Sequence, residues 1–503
     1  MGPVTLERLE LGPSVLSHPP TRASVRKKQQ GPFSILHDRL FAPVDVSFLV
    51  LFRVVFSTAV LWTVWDLFAH DRIAADYLRP RFHFTYHGFS WVKPWDGVGL
   101  YAHCAAVGLA ALLVGVGFLY RAGALCVFLG FTYIFLLEKA LYLNHHYLLC
   151  LLSLIMVFLP ANRRFAVDLL VWPALRTDYV PTWTLWLLRF QVGLPYVLGG
   201  IAKLKTDWLR GQPMHSWLPI CPLRYLLGPV VEEHWMALSF SWGGVLFDLF
   251  IVPLLLCPRT RNAAFCAAVA FHLANALLFN IGVFPWLMLG ATLVFFPPDW
   301  TRRLLRFAAP AMPSRSSDSI APAAKHRLIS TALLLYVTIS LLIPFRHVVY
   351  PGNVLWTEEG HLFAWNMMLR TKVTGIQFLA VDQTTRTLEH VDIMHWLTPR
   401  QLEEMTHDPE MMREFAGFVR GQYKNERRAV EVHVVALSSL NGRKPQLLVD
   451  PMVDLGREPR SLRPKPWILP LTEPFRWDPW IVPMDQWQKH IDLRRVTAGP
   501  PQK

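Results

Sequence analysis

Nine apolar stretches constrain the fold of this chain more than any other feature of its sequence. A helix needs about 20 mostly apolar residues to cross a lipid bilayer. The nine stretches cover residues 46–69, 98–119, 122–141, 146–160, 182–203, 235–257, 263–281, 284–297 and 328–345. The fourth and the eighth are short, so eight or ten spans are alternatives. The pattern predicts an all-α polytopic membrane bundle of about nine transmembrane helices.

Basic residues near the ends of these stretches predict the topology. Nine spans place the two termini on opposite sides of the membrane, and Lys and Arg accumulate on the cytoplasmic side. A cytoplasmic N-terminus puts most basic loops on that side, and the loop with Arg72, Arg79 and Arg81 is the main exception. We therefore expect three parts in the chain. They are a polar cytoplasmic N-terminal tail (1–43), a transmembrane domain (44–346) and an extracytoplasmic domain (347–503).

The region after the last apolar stretch has the pattern of a small α+β domain. Strands are predicted over residues 373–381, 430–437 and 446–450. The dipeptide Asn441-Gly442 is a hairpin-turn signal between the last two of them. Residues 398–420 predict one helix, with Thr398 as its N-cap before a proline. We expect this domain on the extracytoplasmic side.

Composition and missing motifs exclude several functional classes. The 503 residues include 50 Lys and Arg against 36 Asp and Glu, a net charge of +14. In a soluble protein this excess suggests a nucleic-acid partner, but these basic residues flank apolar spans and are not interleaved with aromatic residues. The sequence has no P-loop, dinucleotide-binding glycine pattern, HExxH or GxSxG motif. We expect no nucleic-acid partner and no metal.

Lys203 is the most informative ionisable residue of the spans, because charged groups in a membrane are costly and mark functional sites by default. It ends the stretch 182–203 and follows Gly199-Gly200, a pair that lets another backbone or a flat ligand approach closely. Two interpretations are open. The amine either extends to the membrane surface or is buried, in which case it becomes a base near neutral pH.

Two arginines in the spans have structural as well as functional interpretations. Arg189 lies on the same span as Lys203, and a structural ion pair with Asp248 or Glu138 is one possibility. Arg53 of the first span is interpreted as the partner of Asp66 or of a lipid headgroup. Arginines in membranes usually pair in this way.

Polar side chains also occur near the ends and the centres of other spans. Asn144 and His145 begin a span, where a histidine is either a structural interface residue or a proton shuttle. His272 and Asn275 lie three residues apart and therefore share one helix face. That face forms either interhelical hydrogen bonds or part of a ligand site.

Six segments of the chain agree in order and approximate spacing with one known family. They are PVDVSFLVLFRVVF, FLYRAGALCVFLGFTYIFLLEKALYLNHHYLLCLL, ANRRFAVD, LRFQVGLPYVLGGIAKLKTDWLRG, FHLANALLFNIGVFPWLML and WTEEGHLFAWNMML. Together they resemble the vitamin K-dependent gamma-carboxylase family, whose membrane part is called the HTTM domain. One such segment is a weak signal, whereas six in the same order are a specific one. The resemblance extends from about Pro43 to about Phe475.

The resemblance implies the chemistry of a γ-glutamyl carboxylase. Enzymes of this family use reduced vitamin K (phylloquinol or menaquinol) and O₂ to produce a strong base, which removes a γ-proton from a glutamate side chain. The carbanion captures CO₂, supplied as CO₂ or bicarbonate. The products are γ-carboxyglutamate and vitamin K epoxide. The implied partners are a lipid quinone and a Glu-containing peptide or protein.

The resemblance also implies the site residues. Lys203 in KLKTDW corresponds to the family lysine that deprotonates the quinol, and His145 to a histidine that assists carboxylation. We assign the other candidates to quinol binding (Tyr196, Asn144, His272 and Asn275) or to substrate binding (Trp356, Trp365, His361 and Arg189). His361 stands near an active-site tyrosine of the family. Without the resemblance, the two tryptophans are interpreted as an aromatic belt at the membrane surface.

Alternatives to this function stay open. The first is a quinol epoxidase or oxygenase that carboxylates no peptide, and the second is a non-catalytic membrane protein that binds quinone or lipid. A transporter is the third. Short HTTM proteins are found in bacteria, so we expect a multi-pass protein of a bacterial inner membrane, with the endoplasmic reticulum as the alternative.

Overall fold

The computed structural model describes residues 32–279, 281–304 and 323–491. The described residues divide into two units, one before and one after the boundary between Ala42 and Pro43. In the first unit, Pro32–Phe41 forms helix α1. The first 31 residues of the predicted polar tail lie outside the described part of the chain, as do residues 492–503 at the end of the predicted extracytoplasmic domain.

The second unit begins with a helical bundle. Its longer helices are α2 (Ser47–Ala69), α3 (Val98–Val116), α4 (Tyr120–Leu136), α5 (Asn144–Phe158), α6 (Trp183–Ala202), α7 (His234–Leu256), α8 (Arg261–Leu278), α9 (Phe284–Thr292) and α10 (Ala323–Phe345). Helices of four to six residues cover Ile73–Leu78, Asp168–Val171, Thr206–Leu209, Met214–Trp217, Arg224–Leu227, Trp300–Leu304, Val354–Thr357 and Trp487–His490. Short 3₁₀ segments cover Lys139–Leu141, Pro173–Leu175, Leu218–Ile220, Gly228–Glu232, Leu293–Phe295, Arg346–Val349, Ile393–His395 and Met484–Gln486.

Six helices of the described residues are long and apolar enough to cross a membrane. They are α2, α3, α6, α7, α8 and the helical region Ala324–Val349. Three shorter apolar helices, α4, α5 and the region Phe284–Phe295, occupy the positions of the remaining predicted stretches. The protein is therefore a helical membrane protein, whereas the count of nine spans stays a prediction.

Small residues let the first helices of the bundle approach closely. Gly108 and Gly115 of α3 face α2, where an added methyl group would lie 3.2 Å from Val64 and 3.1 Å from Ser57. Membrane helices commonly pack through such residues, because lipid is as apolar as the helix surfaces and close van der Waals contact stabilises the pair instead. The glycines of α3 thus position it against α2.

Arg53 shows how the bundle accommodates a buried charge. Its guanidinium group donates hydrogen bonds to three carbonyl oxygens, those of Gly115 (3.2 Å), Ala161 (2.6 Å) and Phe165 (2.6 Å). The predicted pairing with Asp66 is wrong, because that carboxylate lies about 20 Å further along α2 at 1.5 Å per residue. Asp66 instead pairs with Arg72 at 2.5 Å.

Two antiparallel sheets complete the second unit. The smaller one pairs β1 (Pro43–Asp45) with β2 (Tyr179–Pro181). The larger one has the strand order β4-β3-β5-β6 and consists of β3 (Lys372–Asp382), β4 (Leu388–His390), β5 (Val430–Leu440) and β6 (Gln446–Leu447). β3 and β5 pair over their full lengths, from Lys372 opposite Leu440 to Asp382 opposite Val430. The first two predicted strands and the hairpin are confirmed, β6 covers only the first two residues of the predicted strand 446–450, and β4 was not predicted.

The predicted helix over 398–420 is two helices, α11 (Pro399–His407) and α12 (Pro409–Asn425). The break falls at Asp408, because a residue before proline avoids the helical conformation and Pro409 has no N–H to continue the ladder. Thr398 is the N-cap as predicted. Its hydroxyl accepts a hydrogen bond from the backbone N–H of Gln401, whose side chain bonds back to Thr398.

The sheet and the two helices of the C-terminal region pack around a hydrophobic core that also includes residues of the membrane part, such as Phe84 and Trp208. α11 packs against β3, and α12 packs against β5. Phe415 of α12 meets Phe378 of β3 with ring centroids 5.0 Å apart, next to the buried Val432 and Val434. Buried and half-buried residues alternate over the first six residues of β5, which is the period of two of a one-sided sheet, and the remaining five are all buried. The described residues of this region contain both helices and strands, as predicted, whereas the domain boundary at residue 347 stays a prediction.

Candidate active site

Helices α6 to α9 and a segment after α10 enclose a cavity of about 460 Å³. Its walls are mainly aromatic and aliphatic, and the rings of Phe247 and Phe271 stack there at 3.8 Å. Its polar lining includes Tyr196, Lys203, Asp248, His272 and Asn275. We call it the apolar cavity. It brings together four of the residues singled out in the sequence.

Lys203 and Asp248 form a buried ion pair in the wall of the apolar cavity. Lys203 Nζ lies 2.6 Å from Asp248 Oδ2, and the two side chains are 9% and 5% exposed. Nζ also lies 5.4 Å from the ring centre of Trp208. Taking two charges out of water has an effective penalty of several kcal/mol per ion. Of the two interpretations of Lys203, the one with a buried amine agrees with its position.

Gly199 and Gly200 face two different neighbours. A methyl group on Gly199 would lie 3.2 Å from Met367 Cε and 3.6 Å from Asp248 Oδ2. A methyl group on Gly200 would lie 2.8 Å from a side-chain carbon of Leu249 and 3.0 Å from its backbone nitrogen. Gly199 therefore keeps space beside the ion pair, and Gly200 lets α6 pack closely against α7.

Replacing Gly200 by valine is expected to lower the free energy of unfolding by about 1–3 kcal/mol, the usual effect of overpacking. The backbone of Leu249 cannot move away without shifting α7. The melting temperature of the purified protein in detergent measures the effect. Gly421→Val is the matched control, because Gly421 lies in a helix and has open space at its Cβ position. Equal melting temperatures for Gly200→Val and the wild type would contradict this packing.

Tyr196 connects three helices beside the apolar cavity. Its hydroxyl lies 2.6 Å from His272 Nε2 and 3.2 Å from Thr292 Oγ1. His272 Nδ1 is buried and has no hydrogen-bond partner among the described residues. A buried polar atom without a partner in a cavity wall indicates that a ligand or water completes its bonding. Asn275 lies half-buried on the same lining.

A second cavity, of about 590 Å³, lies beside the first. Its polar lining consists of Thr63, Asp66, His70, Arg72, Asn144, His145, His146 and Arg400. Asn144 Oδ1 accepts a hydrogen bond of 3.0 Å from the hydroxyl of Tyr142, which orients the amide. The ring of His145 lies 5.9 Å from that of Phe284. We call this the polar cavity.

The two cavities share a wall. Ile281, Phe284, Met367 and Met368 line both of them. The two predicted catalytic residues, Lys203 and His145, therefore do not lie in one cavity. They face adjoining cavities, and the side chains between these cavities include two flexible methionines.

The two methionines belong to a segment that reaches from the C-terminal domain into the bundle. The backbone N–H of Phe363 donates to the hydroxyl of Tyr142 at 2.9 Å, and the buried ring of Trp365 packs 5.1 Å from that of Tyr147. Phe363, Trp365 and Met368 have φ of 60°, 58° and 53°. Each such conformation costs about 1–3 kcal/mol and is characteristic of ligand sites. Trp365 thus positions the shared wall.

Trp356 and Arg189 line neither cavity. The indole of Trp356 donates to the carbonyl of Leu469 at 2.7 Å within the C-terminal core. The guanidinium of Arg189 donates to the carbonyls of Val294 (3.0 Å) and Phe296 (3.1 Å). The predicted ion pairs of Arg189 are wrong, because Asp248 pairs with Lys203 and Glu138 accepts a bond of 2.8 Å from Gln401. Both residues therefore stabilise the structure around the cavities and do not line them.

His361 lies in a buried charged cluster, also outside both linings. Its Nδ1 is 3.4 Å from a carboxylate oxygen of Glu358, which Arg370 binds at 2.6 Å. Burial lowers the pKa of His361 to about 4, although the charge of Glu358 opposes this shift. Burial also opposes the ionisation of Glu358, but Arg370, His361 and Lys372 together lower its pKa to about 2.

We expect acid to destabilise the protein partly through His361. Its pKa is about 6.5 in the unfolded chain and about 4 in the folded protein. Between these values the unfolded chain binds more protons, so stability falls as the pH drops from 6.5 towards 4, by about 2 kcal/mol at pH 5. Melting temperatures at pH 7.5 and 5 measure this loss. It is smaller in His361→Gln; an equal loss in both proteins would contradict the assignment.

Asp207 of KLKTDW joins the bundle to the C-terminal sheet. Its carboxylate accepts hydrogen bonds from Arg443 (2.6 and 2.7 Å) and from the amide of Asn441 (2.8 Å). Both ionic side chains are buried, with 8% and 7% exposure. Asn441 and Arg443 belong to the turn between β5 and β6. The motif therefore contacts the C-terminal domain through Asp207, which lies four residues after Lys203.

Sequence reasoning missed Asp248 as the partner of Lys203, and it missed Met367, Met368 and Arg400. A carboxylate within an apolar span is itself a signal of function, and it identifies Asp248. The methionines lie in the segment WTEEGHLFAWNMML but carry no chemistry of their own. Arg400 gives no signal, since an arginine in the first turn of a helix is ordinary. Among the described residues, no group of three or more His, Cys, Asp or Glu side chains is placed to hold a metal ion.

Two family models match the chain. The model of the HTTM domain matches residues 41–300, which contain helices α2 to α9, and the model of the vitamin K-dependent gamma-carboxylase lumenal domain matches residues 325–474. The second match contains Met367, Met368 and Arg400. No solved structure matches the chain. The resemblance found in the sequence is confirmed, and the chain belongs to the vitamin K-dependent gamma-carboxylase family.

Proposed function

We propose that this protein is a γ-glutamyl carboxylase that converts glutamate side chains to γ-carboxyglutamate with O₂ and CO₂ while it epoxidises reduced vitamin K. One observation carries the proposal. A buried Lys203–Asp248 pair lies in an apolar cavity, and that cavity adjoins a polar one with Asn144 and His145. The quinol occupies the apolar cavity, and the glutamate side chain enters the polar one.

The apolar cavity fits the ring of reduced vitamin K. Phe247 and Phe271 provide flat apolar walls, and His272 Nδ1 is a buried polar atom that lacks a partner among the described residues. Tyr196, Asn275 and His272 would bind the oxygen atoms of the ring. Bound with O₂, the quinol supplies the strong base that removes the γ-proton of glutamate.

Lys203 and Asp248 act together on the hydroxyl proton of the quinol. Lys203 Nζ already donates a hydrogen bond to Asp248 Oδ2. A proton that reaches Nζ therefore displaces the shared proton onto Oδ2, and the pair gains one proton in total. Because the pair is buried in a mainly apolar wall, the donor and the acceptor reorganise little solvent during this step. Lys203 is the catalytic base, and Asp248 stores the proton.

His145 and Asn144 act on the glutamate side of the shared wall. The family chemistry forms a carbanion at the γ-position, which water would protonate before CO₂ adds. Desolvation of the site prevents this side reaction. Asn144, oriented by Tyr142, and His145 would hold CO₂ and the carboxylate beside the wall of Phe284 and Met368. Asn144 thereby moves from the predicted quinol-binding group to the substrate side, because it does not line the apolar cavity.

The polar cavity favours peptide carboxylation over the two main alternatives. A quinol oxygenase without a peptide substrate requires the apolar cavity alone. A protein that only binds quinone or lipid does not require a buried ion pair, whose desolvation is costly. Arg400 in the lining of the polar cavity matches an anionic substrate instead.

Incorporation of ¹⁴C-bicarbonate into a short Glu peptide tests this function. The purified protein in detergent is given quinol and O₂, and a matched Gln peptide is the control. We expect label in the Glu peptide alone, and only when quinol is present. Epoxide without label would support the oxygenase alternative. If neither product forms although the quinone binds, the protein is not an enzyme of this kind.

We further propose an orientation for the protein. The match to a lumenal domain supports an extracytoplasmic C-terminal domain. A cytoplasmic N-terminus and a bacterial inner membrane are the corresponding assignments. In this orientation the Glu-containing substrate reaches the polar cavity after its own export.

A further inference from the structure

Arg400 differs from the other cation of the polar cavity in its pairing. Arg72 is neutralised by Asp66 at 2.5 Å and by Asp76 at 3.3 Å. The guanidinium of Arg400 has no ion pair and no side-chain hydrogen bond within the described part of the chain, although it is half-buried on the lining. A half-buried cation without a partner is costly unless a ligand neutralises it. The net positive charge of this lining therefore rests on Arg400.

The position of Arg400 is determined by the contact between the two domains. It is the second residue of α11, next to Gln401. The amide of Gln401 donates to Glu138 Oε2 (2.8 Å) and to the carbonyl of Phe82 (2.7 Å) in the membrane part. The capping box of Thr398 fixes the same turn. The first turn of α11 therefore holds Arg400 in the lining of the polar cavity.

The groups that face Arg400 are those expected of a carboxylate site. Asn144, His145 and His146 line the same cavity as Arg400. Asp66 is the acidic residue of this lining, and Arg72 neutralises it. An incoming carboxylate therefore meets one unpaired guanidinium and neutral donors.

We propose that Arg400 binds the side-chain carboxylate of the substrate glutamate and presents its γ-carbon to the wall of Met367, Met368 and Phe284. This inference rests on the proposed function. A guanidinium binds a carboxylate through two parallel hydrogen bonds, which fixes orientation as well as affinity. The negative charge beside that carboxylate grows when the γ-proton leaves, so the same guanidinium stabilises the charge that develops in the reaction. Arg400 is then a catalytic residue contributed by the C-terminal domain.

Kinetics of Arg400→Gln test this role. We expect KM for a Glu peptide to rise about 10- to 100-fold, the effect of losing charge-assisted hydrogen bonds, while KM for the quinol in epoxide formation stays unchanged. Arg400→Lys keeps the charge and recovers part of the loss. Arg463→Gln removes an exposed cation of the same domain and leaves both KM values unchanged. An unchanged KM for the peptide in Arg400→Gln would overturn the proposal.

Direct binding separates this proposal from the proposed function. Fluorescence anisotropy of a labelled Glu peptide, and of the same peptide with Gln, is measured without quinol for the wild type and for both Arg400 variants. We expect the wild type to prefer the Glu peptide and Arg400→Gln to lose the preference. If the wild type shows this preference but fixes no CO₂, the subsite stands and the proposed function fails. If Arg400→Gln, or Arg400→Met should the first variant not fold, keeps the full preference, the subsite is wrong.

Discussion

Lys203→Arg is expected to remain folded and to lose both epoxide formation and CO₂ fixation, by about 10²- to 10⁴-fold, the usual contribution of a general base. Arginine keeps the positive charge that Asp248 requires at 2.6 Å. Its guanidinium does not release a proton at any pH a protein tolerates, so it cannot serve as a base. Rates of both products under saturating quinol and peptide measure the loss.

The choice of arginine separates catalysis from stability. Lys203→Met would leave Asp248 as a buried charge without a partner, which destabilises a protein by about 3–5 kcal/mol. Lys205→Met is the matched control, because Lys205 belongs to the same motif but does not line the apolar cavity. We expect it to keep most of its activity. A Lys203→Arg protein with wild-type rates would show that Lys203 is structural.

Asp207→Ala is expected to have the largest effect on stability, a loss of about 3–5 kcal/mol, because it leaves the charge of Arg443 buried and unpaired. The bidentate pair joins the bundle to the turn after β5, so its loss also releases the domain that supplies Met367, Met368 and Arg400. Melting temperature measures the first effect. Protease sensitivity of the C-terminal domain measures the second.

An exposed ion pair provides the comparison for Asp207. Arg224 and Glu232 lie 2.9 Å apart with about half of each side chain exposed. Exposed pairs of this kind contribute little to stability, so Glu232→Ala should melt close to the wild type. If Asp207→Ala also melts like the wild type, the two domains are held together by other contacts.

The fold was largely predictable because its determinants are local. An apolar stretch of about 20 residues indicates a membrane helix without knowledge of its neighbours, and six such helices are present. Thr398 and Asn441-Gly442 are short signals whose meaning depends on adjacent residues. The break before Pro409 is also local, and the rule for residues that precede proline identifies it.

The candidate site was predictable only in part, because it is assembled from distant elements. Lys203, Tyr196, His272 and Asn275 line the apolar cavity, and Asn144 and His145 line the polar one. Asp248 is noticeable as a carboxylate within an apolar span, but no pattern along the chain indicates that it pairs with Lys203 rather than with Arg189, because that choice depends on how the helices pack. Trp356 was assigned to the substrate by position, whereas its burial in the C-terminal core is a tertiary property.

The most direct test of the account is the release of tritium from a peptide labelled at the γ-carbon of its glutamate. The central claim is that quinol chemistry beside Lys203 removes a proton from a side chain held across the shared wall. We predict tritium release that requires quinol and O₂, persists without bicarbonate and disappears in Lys203→Arg. Epoxide formation by the wild type with no tritium release from the Glu peptide would contradict the claim, because the two cavities would then not be coupled.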